Sequence, residues 1–106
     1  MVYIIVKATY PSHKIEETVK LQFEELKNNK QDESSGTIIL NAVKTNEKGI
    51  EFIAITEVKE GKLMEALTRV NKATAPFFKI KGYECTTDVY FNIEEGLDLI
   101  GMKMPE

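Results

Sequence analysis

The order in which hydrophobic periods follow one another constrains this chain more than any other feature. A period-2 run over residues 2–9 is followed by a period-3.6 run over 15–26. Two adjacent period-2 runs come next, 37–45 and 50–58. A second period-3.6 run over 63–74 and a last period-2 run over 83–91 complete the pattern. Period 2 marks a half-buried strand and period 3.6 an amphipathic helix. The chain therefore predicts β-α-β-β-α-β. This is an α+β domain with a four-stranded antiparallel sheet in spatial order 4-1-3-2 and both main helices on one face. A sheet with helices on one side only needs cover on the other.

Composition narrows the class. At 106 residues and 42% hydrophobic, one domain over 1–106 can bury a core without staples. The single cysteine, Cys85, excludes an internal disulfide and points to a reducing compartment. Net charge is −3, and of 14 basic side chains only Arg69 is arginine. The lysines are scattered and form no basic stripe, so no nucleic-acid partner is expected. The N-terminal apolar run has no preceding basic region, is too short for a signal peptide or a membrane span, and alternates like a strand. A cytoplasmic protein with no membrane partner is the expectation.

Local signals punctuate the elements. The first helix opens after Tyr10-Pro11-Ser12, with Ser12 expected as its N-cap and Glu16 and Glu17 in its first turn. Ile15, Val19, Phe23 and Leu26 fall within one narrow face of it, and Leu21 points nearly the opposite way. A polar loop is expected over residues 28–36, and Asn46-Glu47-Lys48-Gly49 reads as a hairpin connection with Gly49 free to take positive φ. The second helix is expected to start near Glu60-Gly61 and to stop by Ala75, because Pro76 disfavours helix in the residue before it. Leu63, Ala66, Leu67, Val70 and Thr74 share its inner face, and Phe77 and Phe78 are expected to plug the bottom of the core. Asn92 to Glu95 reads as a capping box opening a short C-terminal helix that Gly101 ends.

The strands are apolar on both sides over part of their length. Val2, Ile4, Val6 and Ala8 alternate with Tyr3, Ile5, Lys7 and Thr9. Ile38, Leu40 and Ala42 alternate with Ile39, Asn41 and Val43, and Phe52, Ala54 and Val58 with Ile53 and Ile55. An antiparallel sheet with one wet face should alternate cleanly. An apolar patch on the second face marks an interface or a ligand cavity.

The βαββαβ order is that of the ferredoxin-like arrangement. Together with two-sided strands, a length near a hundred residues and a terminal helix, it resembles the dimeric α/β-barrel superfamily. The resemblance covers nearly the whole chain and is one of pattern, with no short motif behind it. It implies a homodimer in which two such sheets pack face to face into a barrel, helices outside, each half able to enclose a small-molecule pocket. That superfamily includes cofactor-free monooxygenases, small isomerases and dehydratases, haem-handling enzymes and ligand-sensing domains.

Candidate chemistry is sparse. His13 is the only imidazole and stands at the start of the first helix, placed to serve as a general base or a ligand contact at a pocket mouth. An exposed helix-start histidine without a role is the alternative. The fourth strand puts Thr86, Asp88 and Tyr90 on one face, with Asp88 a candidate acid or base. A solvated edge strand would look the same. Lys7 and Thr9 lie on a strand expected to be central, and a lysine there calls for a carboxylate such as Asp88 or Glu57. Candidate catalytic residues are thus His13 and Asp88, and candidate ligand contacts are Tyr3, Lys7, Thr9, Thr86 and Tyr90. Cys85 should face the helices as a small hydrophobe. With one His and one Cys no metal site is expected, and no cofactor is implied.

These residues point first to a non-catalytic homodimer that binds or senses a small molecule. A cofactor-free monooxygenase or isomerase with a His or Asp base is one alternative. A structural or adaptor dimer whose barrel is filled by side chains is another.

Overall fold

The computed structural model describes residues 1–28 and 33–105. Of the polar loop expected over 28–36, residues 29–32 lie outside the described residues. The elements run β1 (Val2–Tyr10), α1 (Ile15–Asn28), β2 (Gly36–Asn46), β3 (Gly49–Val58), α2 (Leu63–Thr74), β4 (Glu84–Phe91) and α3 (Ile93–Leu99), with 3-10 turns at Ser12–Lys14 and Ala75–Lys79. This is an α+β chain built on one antiparallel four-stranded sheet in the order β2-β3-β1-β4. Counted from the opposite edge, that order reads 4-1-3-2.

One face of the sheet carries the core. Ile4, Val6, Ala8 and Tyr10 of β1 are buried. Ile4, Val6 and Val58 pack with Ala66, and Leu63, Leu67 and Val70 of α2 close over them. The inner face expected for α2 is the one that packs. Burying such aliphatic side chains is worth about 1.5–3 kcal/mol each, the main favourable term for a helix of this length. Cys85 packs against the same cluster, as expected of a small hydrophobe on the helix side.

At the far end of that face a second cluster forms from Leu21, Phe77 and Ile80, with Tyr83 against it. Tyr83 stacks on Tyr10 at 6.2 Å between ring centroids and on Phe77 at 5.4 Å, and meets Phe78 edge-on at 6.0 Å. Phe77 is buried as expected, but Phe78 is 58% exposed and plugs nothing. The 3-10 turn around Pro76 gives the chain too few positions to aim two adjacent rings inward.

Helix α1 departs from the amphipathic rule. Its buried residues are Thr18 and Leu21, while Ile15, Phe23 and Leu26 are exposed. Leu21 stands about 155° around the helix from the middle of the apolar stripe, at 100° per residue. A helix cannot turn both inward, and the aromatic cluster takes Leu21. Thr18, fully buried, donates its hydroxyl to the Lys14 carbonyl at 2.8 Å and so buries no unpaired group. Ser12 does not cap α1. It begins the 3-10 turn, Pro11 holds the N-cap position of that turn, and no side chain caps it.

The remaining turns follow their sequence signals. Asn46 Oδ1 accepts from the N–H groups of Lys48 and Gly49 at 2.8 and 3.0 Å. Gly49 takes φ +139°, and a Cβ there would lie 2.3 Å from the Tyr10 carbonyl oxygen, so the hairpin admits no larger residue without moving β1. Asn92 accepts the Glu95 N–H as N-cap of α3. The helix ends with Gly101 N–H on Asp98 O and Met102 N–H on Leu97 O, the Schellman pattern.

Strand β2 carries a β-bulge between Ile38 and Leu40. Before it, Ile38 opposes Thr56 and shares the helix face; after it, Leu40 opposes Ile55 and Ala42 opposes Ile53. Plain alternation puts Ile38, Leu40 and Ala42 on one side. The extra residue reverses the parity, so Leu40 and Ala42 lie on the open face while Asn41 and Val43 follow Ile38.

Candidate functional site

The sheet face away from the helices forms a grid that the register specifies. Across β2, β3, β1 and β4 its rows are Thr37-Glu57-Tyr3-Tyr90, Leu40-Ile55-Ile5-Asp88, Ala42-Ile53-Lys7-Thr86 and Lys44-Glu51-Thr9-Glu84. Five apolar side chains, Leu40, Ala42, Ile53, Ile55 and Ile5, are contiguous in the two middle rows. Four of the five are half-buried by their own neighbours alone, and Leu40 is 44% exposed. Polar groups border them. Lys44 pairs with Glu51 at 3.5 Å along one end, and Thr86, Asp88 and Glu84 run down β4. An apolar centre within a polar rim is the anatomy of a protein interface.

The structure brings most of the candidate residues onto this face. Tyr3 is directly opposite Tyr90, Lys7 opposite Thr86, and Thr9 opposite Glu84. Asp88 is opposite Ile5 and so diagonal to Lys7, a spacing of about 7–8 Å between Cα atoms. Together they occupy the β1–β4 half, while four of the five apolar residues lie in the β2–β3 half and Ile5 of β1 adjoins them. Lys7 and Asp88 are both exposed, and neither forms an ion pair with a described residue. The carboxylate partner expected for Lys7 is not needed, because its ammonium stays in water and pays no burial cost.

His13 stands apart. It lies in the 3-10 turn after β1, exposed, and Asp88 is level with Ile5, five residues before Tyr10 on that strand. At about 3.3 Å per residue the strand end at Tyr10, from which the His13 turn departs, is roughly 17 Å along the strand from the level of Asp88. His13 and Asp88 belong to no common constellation. Among the described residues no group of three or more His, Cys, Asp or Glu side chains is placed to hold a metal ion. No helix among them is long and apolar enough to cross a membrane.

Among the described residues, cavities open behind this face and at its end. One of about 220 Å³ opens between α2 and the start of β2, lined by Gly36, Ile38, Thr56, Ala66, Arg69 and Val70 among others. It is smaller than the roughly 300 Å³ at which drug-sized ligand sites begin. The other, of about 530 Å³, sits at the end of the sheet between Val2, Thr37, Val58, Leu63 and Glu95, beside the ion pair of the N-terminal ammonium with Glu95. Sequence reasoning named neither. Their linings come from separate elements at no regular spacing, so no local pattern announces them.

Three groups on the helix side titrate away from their ordinary values. Burial pushes the phenols of Tyr83 and Tyr10 above the usual tyrosine range, and for Tyr83 the neighbouring Cys85 adds to the shift. Burial also raises the Cys85 thiol, with hydrogen bonds from Thr87 and Tyr83 opposing it. A thiol raised in this way is a packing group and a poor nucleophile at neutral pH.

No family model matches the chain, and no curated protein matches it. Among solved structures, the de novo designed protein Foldit4 superimposes with a TM-score of 0.51 at 14% identity, over 86% of this chain and 96% of its own. The likeness is one of fold alone.

Proposed function

We propose that this chain is a cytoplasmic homodimer of ferredoxin-like protomers, closed face to face in the manner of the dimeric α/β barrels, and that it binds or senses a small molecule without catalysis. The observation that carries the reading is the contiguous apolar centre of the open face, Leu40, Ala42, Ile53, Ile55 and Ile5, bordered by polar rows. The β-α-β-β-α-β order and the crowding of the core onto one side of the sheet support the fold assignment. Two copies related by a two-fold axis bury the patch in a self-complementary contact. The apolar centre is offset toward β2 and β3. Centring it on the axis leaves the β1–β4 half, with Tyr3, Lys7, Thr9, Thr86, Asp88 and Tyr90, beside the partner's edge. A ligand held there would set an anionic or acceptor group against Lys7 and a donor against Asp88.

Sedimentation velocity tests the assembly. Ile5→Glu places a charge at the β1 end of the patch and should convert the dimer to a folded monomer. A wild-type protein that stays near 12 kDa at all concentrations rejects it. A thermal-shift screen tests the ligand: a compound that raises the Tm of the wild type should do so far less for Lys7→Ala or Asp88→Ala, whose own Tm should barely move. Failure of every compound to discriminate favours the adaptor dimer with a filled interior.

A further inference from the structure

Helix α1 turns an apolar stripe to solvent, Ile15 at 44%, Phe23 at 60% and Leu26 at 63% exposure, with Val19 half-buried between them. The helix is held by Leu21 and Thr18 from another side, and Ile15, Phe23 and Leu26 are left uncovered in one chain. We propose that this stripe is a second self-association surface, on which α1 of another copy packs antiparallel. It is separate from the open sheet face and does not rest on the dimer proposed there.

The stripe's own spacing selects the occupant. Its midpoint falls between residues 20 and 21. Reversing the helix about that point sets Ile15 level with Leu26 of the other copy, and Val19 level with Phe23. Both pairs agree in height to about 1 Å at a rise of 1.5 Å per residue. Spacings of four, four and three residues are those of a ridge that packs into the groove of a like helix. The flanking charges agree with the same reversal. Glu16 and Lys27 are both exposed and lie on the same side of the stripe, about 20° apart around the helix. A two-fold axis perpendicular to the helices brings like flanks together. Glu16 of one copy then meets Lys27 of the other, within about 2 Å in height, at both ends of the contact. Opposite charges that meet in one orientation discriminate it from the alternatives.

A single helix pair is small beside the roughly 1,600 Å² of a standard interface. The contact is therefore a weak, concentration-dependent step. Joined to a separate two-fold interface, it would link dimers into larger assemblies.

Sedimentation velocity on the full chain, from low micromolar to near-millimolar concentration, tests this with four variants. Phe23→Lys should remove the α1-dependent step while leaving Tm unchanged, since Phe23 supports no core contact. Glu16→Lys and Lys27→Glu should each weaken the step by about tenfold, because the two-fold axis repeats the change. Glu16→Lys combined with Lys27→Glu should restore it. Loss of assembly in the single variants without recovery in the double, or assembly untouched by Phe23→Lys, overturns the proposal. Ile5→Glu is the separating control. If it leaves every species unchanged while Phe23→Lys does not, the open-face dimer fails and the α1 pair stands.

Discussion

Ile4 and Ile5 are the same residue at consecutive positions of one strand, yet they sit in different worlds. Ile4 is fully buried under α2, and Ile5 is half-covered in the middle of the open face. Strand propensity, length and sequence neighbourhood are shared, so the difference is entirely one of what lies across the face. The covered side of β1 is filled by the helix layer and the aromatic cluster around Tyr83. The open side has only the neighbouring strands. A buried apolar side chain on the first side contributes to the stability of the chain. On the second side it contributes to whatever the chain meets.

The comparison breaks most directly at that pair. Ile4→Ala should cost about 2–5 kcal/mol in urea unfolding, the usual range for emptying a packed core position. Ile5→Ala should cost the isolated chain about 1–2 kcal/mol, because part of its side chain already meets water and its removal leaves no closed cavity. Equal costs would mean that the two faces are not energetically distinct.

The next largest effect separates the two sides of β2. Leu40→Lys puts a charge into the apolar centre and should weaken face-to-face association by roughly 2–4 kcal/mol, the penalty of burying an unpaired charge. Val43→Lys lies on the helix side of the bulge, 66% exposed, and should leave association unaltered. Sedimentation equilibrium on the two variants reads the parity directly, and a stronger effect at Val43 would restore plain alternation along β2.

The smallest effect belongs to the covered face. Tyr10, Tyr83 and Cys85 are all raised by burial above ordinary values of 10.0 for the phenols and 9.0 for the thiol. The folded chain holds these protons more tightly than the unfolded chain does. The stability they contribute is complete below about pH 9 and is lost as pH rises above it, when the unfolded chain ionises first. Tm measured from pH 8 upward should fall steadily beyond pH 9, and Tyr83→Phe should flatten that fall by removing the most strongly raised group.

Much of the architecture was legible in the residues. Alternation in 2–9 and 83–91, the 3.6-residue repeat in 63–74 and the Asn92 cap each depend on near neighbours, and each appears where the pattern places it. The candidate residues on β1 and β4 share a face for the same reason, since side-chain direction along a strand is set by backbone geometry alone. His13 could not be placed relative to Asp88, because their separation depends on which strands become neighbours and in what register.

Two features only the tertiary structure decided. The bulge at Ile38/Leu40 sends Leu40 and Ala42 to the open face, and no residue type in 37–43 announces an extra residue in the ladder. The phase of α1 is the other. Its strongest local signal is the stripe through Ile15, Val19, Phe23 and Leu26, but the helix is seated by Leu21, because Phe77, Ile80 and Tyr83 arrive from the other end of the chain to receive it. Periodicity by itself determines that a helix has an apolar side. Which side meets the core is settled by long-range packing, and the side left over is free to meet something else.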